Sequence, residues 1–430
     1  MEYLEINGGA KLGGEIDVHG AKNSVLPILA GSVLISGESV IHNCPELSDV
    51  RATIDILTYL GAKVKKEGNT LIIDSRGISG SYIPESMMQE MRSSIIFLGA
   101  LLSRMKSACL FLPGGCEIGL RPIDLHLKAL GSIGYDINFD GENICCRGGR
   151  ERAAKIVLPF PSVGATENAI LASVFVRGKT TIINAAREPE IGDLANYLNS
   201  AGARISGATT TVIEIQGVDN LHSTEHTVIF DRILASTYMS AAAITGSELL
   251  INNINHIHTA PVLPAFYEMG CKLYLGDNSL RIKAPKKLHR VKKTETGAFP
   301  GFPTDSQAPL MAALTVADGC SVIKENIFEN RFKHIPQLMR FGADITAVSK
   351  IAIISGVKSL HGAEASCTDL RGGAAIVLEA LAAQGTSRIR NIEHIDRGYE
   401  KIENSLASIG AEITRKNDEE GSKKAEEQKS

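Results

Sequence analysis

Apolar and polar residues follow a pattern that repeats six times along the chain. Each repeat contains about three turns of apolar residues at helical spacing, then a glycine, then a run with apolar residues at alternate positions. A glycine after a helical pattern is typical of a helix C-terminal cap, and alternation is typical of a strand. The six glycines are 68 to 72 residues apart: Gly61, Gly131, Gly202, Gly270, Gly342 and Gly410. A fixed period of this length indicates repeated supersecondary units.

A second helical stretch in the repeats is rich in alanine and apolar on nearly all sides, which predicts a buried helix. Examples are residues 24–34, 165–176, 235–244, 308–316 and 373–383. A strand follows each of these helices after a glycine turn, so one repeat predicts a βαββαβ-like unit. Six units divide into two groups of three, with the first crossing near residues 220–229. The opening strands, within residues 4–18, fit either group.

Polar and basic residues recur at the predicted helix starts. They include Lys22, Asn23, Arg92, Arg121, Ser162, Asp305, Arg331, Asp369, Arg371 and Arg397. A helix N-terminus has unpaired backbone N–H groups and a positive dipole end, so starts that carry lysine and arginine bind phosphate and carboxylate groups if they converge. Taken singly, the acidic and amide residues fit helix caps equally well. Their recurrence at equivalent positions favours an anion site.

One loop combines a thiol with glycines and a cation. Residues 113–119 contain Cys116 among a proline and three glycines, which predicts a surface loop that opens and closes. Arg121, followed by Pro122 at a first helical position, would lower the pKa of the thiol and hold an anionic substrate. A cysteine alone is more often a small buried hydrophobe. The surrounding loop favours a chemical role.

Composition then excludes several classes of protein. The 430 residues are 44% hydrophobic and 22% charged, enough for two globular domains, and the net charge of −3 gives no bulk attraction to nucleic acid. Apolar runs are too short for a membrane span and no signal sequence is recognisable, so we expect a cytoplasmic protein. Eight cysteines without a Cys-x-x-Cys pair indicate reduced thiols. We expect no metal, because the cysteines form no Cys-x-x-Cys pair. We expect no cofactor, because nucleotide-binding glycine motifs are missing.

Phrases across nearly the whole chain resemble the enolpyruvyl transferase family, in particular its members that act on UDP-N-acetylglucosamine. The phrases are residues 20–23, Arg92 after Met91, and residues 113–126, 162–166, 186–191, 302–305, 329–332, 368–371 and 394–400. The resemblance implies an α/β fold, a two-domain inside-out α/β barrel of six βαββαβ repeats, three per domain, with the active site between the domains. It assigns residues 21–229 to the first domain, which carries the Cys116 loop, and residues 1–20 and 230–415 to the second. Residues 416–430 are charged and predicted to be a disordered tail.

The reaction implied by the resemblance moves the enolpyruvyl group of phosphoenolpyruvate to the 3-hydroxyl of UDP-N-acetylglucosamine by addition and elimination, with release of phosphate. This is the first committed step of peptidoglycan precursor synthesis. By the same resemblance, Cys116 is the acid that protonates the methylene carbon and Asp305 is the base. Lys22, Arg121 and Arg397 hold the two anionic groups of phosphoenolpyruvate. The epoxide fosfomycin is expected to alkylate Cys116.

The resemblance also implies the residues that bind the sugar nucleotide. They are Asn23, Arg92, Pro122, Ile123, Asp124, Leu125, Ser162, Val163, Asp305 and Ile327, while Arg331, Asp369 and Arg371 complete the site from the second domain. Three alternatives stay open. The sister transferase of shikimate 3-phosphate lacks the Pro-Gly-Gly-Cys loop, a non-catalytic paralogue would be expected to lose catalytic residues, and an RNA-end cyclase needs a basic surface.

Overall fold

The chain divides into two compact units. A computed structural model describes residues 1–112 and 123–418, with Arg92 described by its backbone only. The inserted unit comprises residues 19–112 and 123–230, and the terminal unit comprises residues 1–18 and 231–418. Cys116, Arg121 and Pro122 lie outside the described residues.

The described residues form 24 short strands, most of five residues, and in the majority of them buried and more exposed side chains alternate. In chain order they are β1 (Glu2–Asn7), β2 (Glu15–Asp17), β3 (Glu38–His42), β4 (Lys63–Glu67), β5 (Thr70–Asp74), β6 (Tyr82–Ile83), β7 (Ser107–Phe111), β8 (Asp136–Asp140), β9 (Asn143–Arg147), β10 (Lys155–Val157), β11 (Lys179–Ile183), β12 (Arg204–Ser206), β13 (Val212–Gln216), β14 (Thr224–Thr227), β15 (Glu248–Asn252), β16 (Lys272–Leu275), β17 (Ser279–Lys283), β18 (Thr294–Glu295), β19 (Cys320–Lys324), β20 (Asp344–Val348), β21 (Ile351–Ser355), β22 (Glu364–Ser366), β23 (Thr386–Arg390) and β24 (Glu412–Asn417).

The same part of the chain contains fifteen α-helices and three short 3-10 helices. The α-helices are α1 (Lys22–Gly31), α2 (Ser48–Leu60), α3 (Glu85–Glu90), α4 (Phe97–Met105), α5 (Asp124–Ile133), α6 (Val163–Ser173), α7 (Pro189–Ser200), α8 (Arg232–Ile244), α9 (His256–Thr259), α10 (Leu263–Glu268), α11 (Gln307–Leu314), α12 (Ile335–Met339), α13 (Leu370–Ala382), α14 (Glu393–Asp396) and α15 (Ile402–Ser408). The 3-10 helices are Ser32–Leu34, Arg92–Ile96 and Thr304–Ser306. Among the described residues, no helix is long and apolar enough to cross a membrane.

The strands form six four-stranded sheets, three in each unit, and all six have one topology. The first edge strand runs parallel to its neighbour, and the remaining pairs are antiparallel. The inserted unit has the orders β14-β3-β5-β4, β6-β7-β9-β8 and β10-β11-β13-β12, and the terminal unit has β2-β15-β17-β16, β18-β19-β21-β20 and β22-β23-β1-β24. The predicted α/β fold of six repeats, three per domain, is confirmed.

The opening strands belong to the terminal unit. β1 lies between β23 and β24, with Leu4 opposite Ile389, and β2 pairs with β15. The N-terminal strand β1 therefore completes the sixth sheet as its third strand. In the other five sheets, the third strand is the one that follows the outer edge strand in sequence, as β5 follows β4. Apolar alternation alone left this choice open, because it fixes the buried face of a strand and not its partner.

Three helices form the centre of each unit, and the sheets lie around them. In the terminal unit, α8, α11 and α13 pack against one another, and in the inserted unit α4 packs against both α1 and α6. Every residue of α11 is buried. This arrangement explains why these helices are apolar on nearly all sides, since each packs against other elements on several faces.

Five of the six repeat glycines adopt left-handed backbone angles at or just after a helix end. The prediction for Gly131 was wrong, because α5 continues through it and ends at Gly134, which has a φ of 107°. The additional turn buries Ile133 beside Leu130. Apolar packing thus carries the helix one turn beyond the glycine that the repeat pattern singled out.

A disulfide joins Cys109 on β7 to Cys145 on β9. The expectation that all cysteines are reduced thiols was therefore wrong for this pair. The two residues lie directly opposite each other in the antiparallel register of the sheet. Their separation of 36 residues in sequence gives no indication of this proximity.

Candidate active site

Lys22 begins the first buried helix of the inserted unit, α1. Its Nζ lies 2.6 Å from Oδ2 of Asp49, which stands in the first turn of α2, and both side chains are buried. A buried ammonium needs such a partner, because the low dielectric of the interior penalises an isolated charge. Sequence reasoning did not find Asp49. The available signal was an acidic residue in the first turn of the amphipathic helix of the same repeat.

Other predicted residues also lie at helix starts in the inserted unit. Asn23 is the second residue of α1, Arg92 begins the 3-10 helix that leads into α4, and Ser162 is the N-cap of α6, accepting a hydrogen bond from the Ala165 N–H at 3.4 Å. Val163 follows as the first residue of α6, Ile123 is the N-cap of α5, and Asp124 and Leu125 form its first turn. The starts of all three central helices of this unit therefore carry predicted ligand-binding residues.

The buried Asn168 side chain fixes several of these helix starts. Its carbonyl accepts a hydrogen bond from the Gly99 N–H at 2.7 Å, and its amide donates to the carbonyl of Ile95 at 3.1 Å. The same amide lies 2.7 Å from Nδ1 of His126 in the first turns of α5. One side chain on α6 thus ties together α4, α5 and the 3-10 helix that begins at Arg92.

Asp193 holds the start of α1 from the other side. Its Oδ2 accepts hydrogen bonds from the Ser24 hydroxyl at 2.5 Å and from the Ile229 N–H at 3.2 Å, and Oδ1 lies 2.9 Å from Nε2 of His226. Ser24 directly follows Asn23, so this buried carboxylate fixes the segment that carries the predicted ligands. Sequence reasoning missed it, because Asp193 stands inside α7 with no pattern of its own.

Glu167 is a buried acid in the second turn of α6. Burial first, and then the nearby carboxylates of Glu190 and Glu188, raise its pKa to about 8. The side chain is therefore mostly protonated at neutral pH. It adds little negative charge near a helix start whose dipole end is positive.

In the terminal unit, Asp305 lies between two arginines. Its Oδ1 accepts a hydrogen bond from Nη2 of Arg331 at 2.8 Å, and its Oδ2 lies 3.3 Å from the guanidinium of Arg371. The two arginine side chains are 4% and 1% exposed, whereas the Asp305 side chain is 25% exposed. The structure therefore brings together three predicted site residues and leaves the carboxylate as the accessible member.

Asp369 extends this cluster at the start of α13. Its Oδ1 accepts hydrogen bonds from the backbone N–H groups of Arg371 and Gly372, both at 3.0 Å, and lies 3.8 Å from the Arg331 guanidinium. Burial by itself would raise the pKa of Asp369, but Arg331, His334 and the two N–H groups bring it below its ordinary value. The carboxylate is thus ionised, and it helps to hold Arg331 beside Asp305.

Arg371 is the most deeply buried of these cations. Its guanidinium lies 5.3 Å from the ring centroid of Tyr399. Burial disfavours its charge, but the interactions with Tyr399, Asp305 and Asp231 together raise the pKa of the guanidinium. Arg371 therefore remains a cation inside the protein, and Tyr399 is a further member of the cluster that sequence reasoning missed.

Two further predicted residues of the terminal unit are Arg397 and Ile327. Arg397 is the C-cap of α14, directly after Asp396, whose carboxylate accepts two hydrogen bonds from Arg415 at 2.6 and 2.9 Å. Ile327 is half-buried, and its N–H donates to Oε1 of Glu325 at 2.8 Å. Arg397 thus follows an aspartate that Arg415 fixes, and Glu325 fixes the backbone at Ile327.

The chemical capacity of the described residues follows from these positions. The terminal unit presents a partly exposed carboxylate of fixed orientation, which suits the acceptance of a proton. The inserted unit presents Lys22 and several helix starts, which suit the binding of anionic groups. Acid, base and anion-binding groups are what a transfer involving phosphate-bearing substrates requires.

Comparison with known proteins agrees with this chemistry. The profile of the EPSP synthase (3-phosphoshikimate 1-carboxyvinyltransferase) family matches residues 6–406. A protein named UDP-N-acetylglucosamine 1-carboxyvinyltransferase 2 from Caldanaerobacter subterraneus subsp. tengcongensis is 49% identical over 96% of this chain and 100% of its own. UDP-N-acetylglucosamine 1-carboxyvinyltransferase of Geotalea uraniireducens is 45% identical over 96% of this chain and 99% of its own.

Solved structures show the same fold. The enolpyruvyl transferase NikO from Streptomyces tendae matches with a TM-score of 0.88 and 25% identity, over 96% of this chain and 98% of that one. An EPSP synthase from Acinetobacter baumannii matches with a TM-score of 0.74 and 20% identity, over 97% of this chain and 100% of that one. Since the family profile spans most of the chain and relatives nearly half identical cover it almost entirely, the chain belongs to the EPSP synthase family of enolpyruvyl transferases.

Proposed function

We propose that this protein transfers the enolpyruvyl group of phosphoenolpyruvate to the 3-hydroxyl of UDP-N-acetylglucosamine and releases phosphate. The reaction is the first committed step of peptidoglycan precursor synthesis, and we place it in the cytoplasm. The names of relatives at 43–49% identity support the substrate pair. The observation that carries the chemistry is the partly exposed Asp305 carboxylate held between two buried guanidinium groups.

In this proposal Asp305 is the base. It takes the proton of the sugar 3-hydroxyl as the oxygen attacks C2 of phosphoenolpyruvate, while the Cys116 thiol gives a proton to the methylene carbon. The Cys116 thiolate then takes a proton back from that carbon of the tetrahedral adduct, and the electron pair of the broken C–H bond restores the double bond as phosphate leaves. Arg331 and Arg371 fix the direction in which the Asp305 oxygens point. Cys116 also forms a covalent adduct with phosphoenolpyruvate in this scheme.

The proposal assigns the cations to phosphoenolpyruvate. Lys22, Arg121 and Arg397 hold its phosphate and carboxylate and stabilise the charge that develops as phosphate leaves. Asp49 supports this role for Lys22. Its carboxylate lies 2.6 Å from the ammonium, so it fixes the position of that group and balances its buried charge. Fosfomycin, which carries a phosphonate, would use the same cations and alkylate Cys116.

The residues at the helix starts are assigned to the sugar nucleotide. The proposed contacts come from Asn23, Arg92, Pro122, Ile123, Asp124, Leu125, Ser162, Val163, Asp305 and Ile327, with Arg331, Asp369 and Arg371 supporting the sugar side. Backbone N–H groups at such starts suit a diphosphate. The Asn168 and Asp193 side chains hold these starts in place.

The family profile itself is described by the shikimate reaction, so shikimate 3-phosphate is the second candidate acceptor. A phosphate-release assay separates the two. Purified protein is mixed with phosphoenolpyruvate and either UDP-N-acetylglucosamine or shikimate 3-phosphate. Phosphate release only in the mixture that contains UDP-N-acetylglucosamine supports the proposal. Release only in the mixture that contains shikimate 3-phosphate, or in neither mixture, contradicts it.

A further inference from the structure

Glu325 is a buried acid that joins two segments of the terminal unit. It directly follows β19 and is 1% exposed. Its Oε1 accepts hydrogen bonds from the backbone N–H groups of Ile327 at 2.8 Å and Phe328 at 3.1 Å. Its Oε2 accepts a hydrogen bond from the Thr304 hydroxyl at 3.0 Å. Three donors therefore meet one buried carboxylate, which suits a charge removed from water.

The two joined segments both carry residues of the proposed site. Thr304 begins the 3-10 helix that contains Asp305, and Ile327 belongs to the proposed sugar-nucleotide site. Glu325 holds these segments together through side chain and backbone at once. Its position thus sets where the Asp305 backbone lies relative to the turn at residues 327–328.

Arg331 closes the connection on the other side. Its Nη2 donates to the carbonyl of Thr304 at 3.3 Å and to Asp305 at 2.8 Å. Its guanidinium also lies 5.8 Å from the ring centroid of Phe328. Glu325 and Arg331 therefore both contact the same two segments. Neither segment can shift without breaking a buried polar contact.

We propose that Glu325 is a positioning residue for the reaction, acting through the Thr304 hydroxyl on the placement of Asp305. The proposal rests on the proposed function, since it takes Asp305 as the base. A base displaced by about 1 Å loses roughly 100-fold in rate. The effect of loosening this contact falls on kcat, because the groups assigned to phosphoenolpyruvate lie elsewhere in the sequence.

Thr304→Val tests the contact with the smallest change. It removes one hydroxyl, keeps the shape of the side chain and leaves the backbone bonds to Glu325 in place. We expect kcat to fall at least 10-fold, with KM for phosphoenolpyruvate within about twofold. Thr304→Ser, which restores the hydroxyl, should recover most of the loss.

Thr315→Val is the matched control. The Thr315 hydroxyl lies 3.1 Å from Oε2 of Glu379, in the same unit, and both residues are buried. This variant also deprives a buried glutamate of a hydroxyl partner, so it should lower Tm, but it should keep the kcat of the wild type. Equal kcat losses in Thr304→Val and Thr315→Val would overturn the proposal, as would a Thr304→Ser variant as slow as Thr304→Val.

A second measurement is independent of turnover. Amide hydrogen exchange of the full chain should become faster at residues 304–306 and 327–328 in Thr304→Val and remain unchanged there in Thr315→Val. Unchanged exchange at residues 327–328 in Thr304→Val would refute the joining role of Glu325. A wild-type protein without phosphate release would contradict the proposed function instead, while the exchange result still decides whether Glu325 joins the two segments.

Discussion

The two units hold their ionic residues in opposite ways. At the start of α1 in the inserted unit, the cation Lys22 and its partner Asp49 are both buried, with side chains 9% and 4% exposed. In the 3-10 helix before α11 in the terminal unit, the accessible group is an anion, Asp305, and the cations are buried behind it. The same position in the repeat, the start of a central helix, therefore carries opposite chemistry in the two units.

Under the proposed function, this difference follows from what each group must do when a ligand binds. A lysine that receives an anionic substrate needs an orientation that survives without the substrate, and Asp49 provides it. Both Asp305 oxygens contact arginines, so a base at this position has to exchange one of these contacts for the substrate hydroxyl, and its 25% exposure gives the substrate access for that exchange. Six repeats of one topology thus supply equivalent helix starts, and the proposed function gives the side chains at those starts different roles in the two units.

The largest effect is expected from removing the proposed acid, Cys116, which lies in the sequence between β7 and α5. Cys116→Ser should lower kcat by at least roughly 1,000-fold, because a hydroxyl is too weak an acid at neutral pH. Cys116→Asp should retain activity with a shifted pH profile, since a carboxylic acid also donates a proton. Phosphate release measures both. Cys320→Ser, at an exposed free cysteine, is the control and should keep wild-type turnover. A fully active Cys116→Ser protein would contradict the assignment.

Removing the proposed base should act almost as strongly on kcat and far less on binding. Asp305→Ala should reduce kcat by about 100- to 10,000-fold, the usual contribution of a general base. Calorimetric Kd for UDP-N-acetylglucosamine should change much less, because a base acts mainly in the transition state. Asp318→Ala, which breaks an exposed ion pair with Lys287 in the same unit, is the control. Loss of binding together with turnover would make Asp305 a ligand-positioning residue instead.

Fosfomycin tests the proposed cations and the Cys116 thiol together. We expect labelling of Cys116 alone, at a rate at least about tenfold higher with UDP-N-acetylglucosamine bound, because the bound sugar nucleotide excludes water from the thiol. Intact-mass spectrometry over time gives the rate, and peptide mapping gives the residue. Labelling of Cys320, the exposed free cysteine, or a rate indifferent to the sugar nucleotide, would argue against a shared site.

Asp49→Asn sharpens the inserted-unit side of the comparison. It keeps the size of the side chain but removes the charge 2.6 Å from Lys22. The ammonium then loses its fixed direction, so KM for phosphoenolpyruvate should rise about tenfold, typical of a lost charge-assisted contact. Asp74→Asn removes a charge from an ion pair with Arg76 in the same unit and should leave KM unchanged. Equal behaviour of the two variants would show that Asp49 serves only stability.

Local sequence patterns predicted the fold because the repeats share a similar spacing of apolar residues. The helical and alternating stretches gave six units and their buried helices, and only the end of α5 at Gly134 and the partners of the opening strands needed the structure. These two features depend on packing and on strand register. The spacing of apolar residues does not identify a strand's partner, and at α5 the repeat glycine outweighed the apolar spacing of Leu130 and Ile133 in the prediction.

The site was predictable only in part. The residues Asp305 and Arg371 were named through motifs, and their contact spans 66 residues of sequence. Three acids that hold site segments were missed: Asp49 beside Lys22, Asp193 beside Ser24, and Glu325 beside Thr304. Asp49 had a weak signal in the first turn of α2, whereas a buried acid inside or beside an element, such as Asp193 or Glu325, has no distinctive spacing. The Cys109–Cys145 disulfide was missed for the same reason, since it depends on the register of β7 against β9.

Glu167→Gln should have the smallest effect on activity and the clearest effect on pH dependence. The pKa of Glu167 is raised from 4.5 to about 8 in the folded protein, so the folded state binds the extra proton between these values. The stability it contributes is present below pH 4.5 and is lost as pH rises through 8. At pH 7 the carboxyl is mostly neutral and an amide has the same shape, so kcat should stay within about twofold of the wild type.

The stability of this variant distinguishes the buried acids of the two units. In thermal unfolding at pH 5 to 9, the Tm of Glu167→Gln relative to that of the wild type should rise with pH up to about 8 and then stay constant. Glu379→Gln, at a buried acid of the terminal unit whose pKa burial also raises, should gain in the same direction. Glu190→Gln should move the Glu167 transition to lower pH, because it removes a neighbouring charge, and should leave that of Glu379 unchanged. A wild type and a Glu167→Gln variant with parallel pH profiles would show that the Glu167 carboxyl is already ionised in the folded protein.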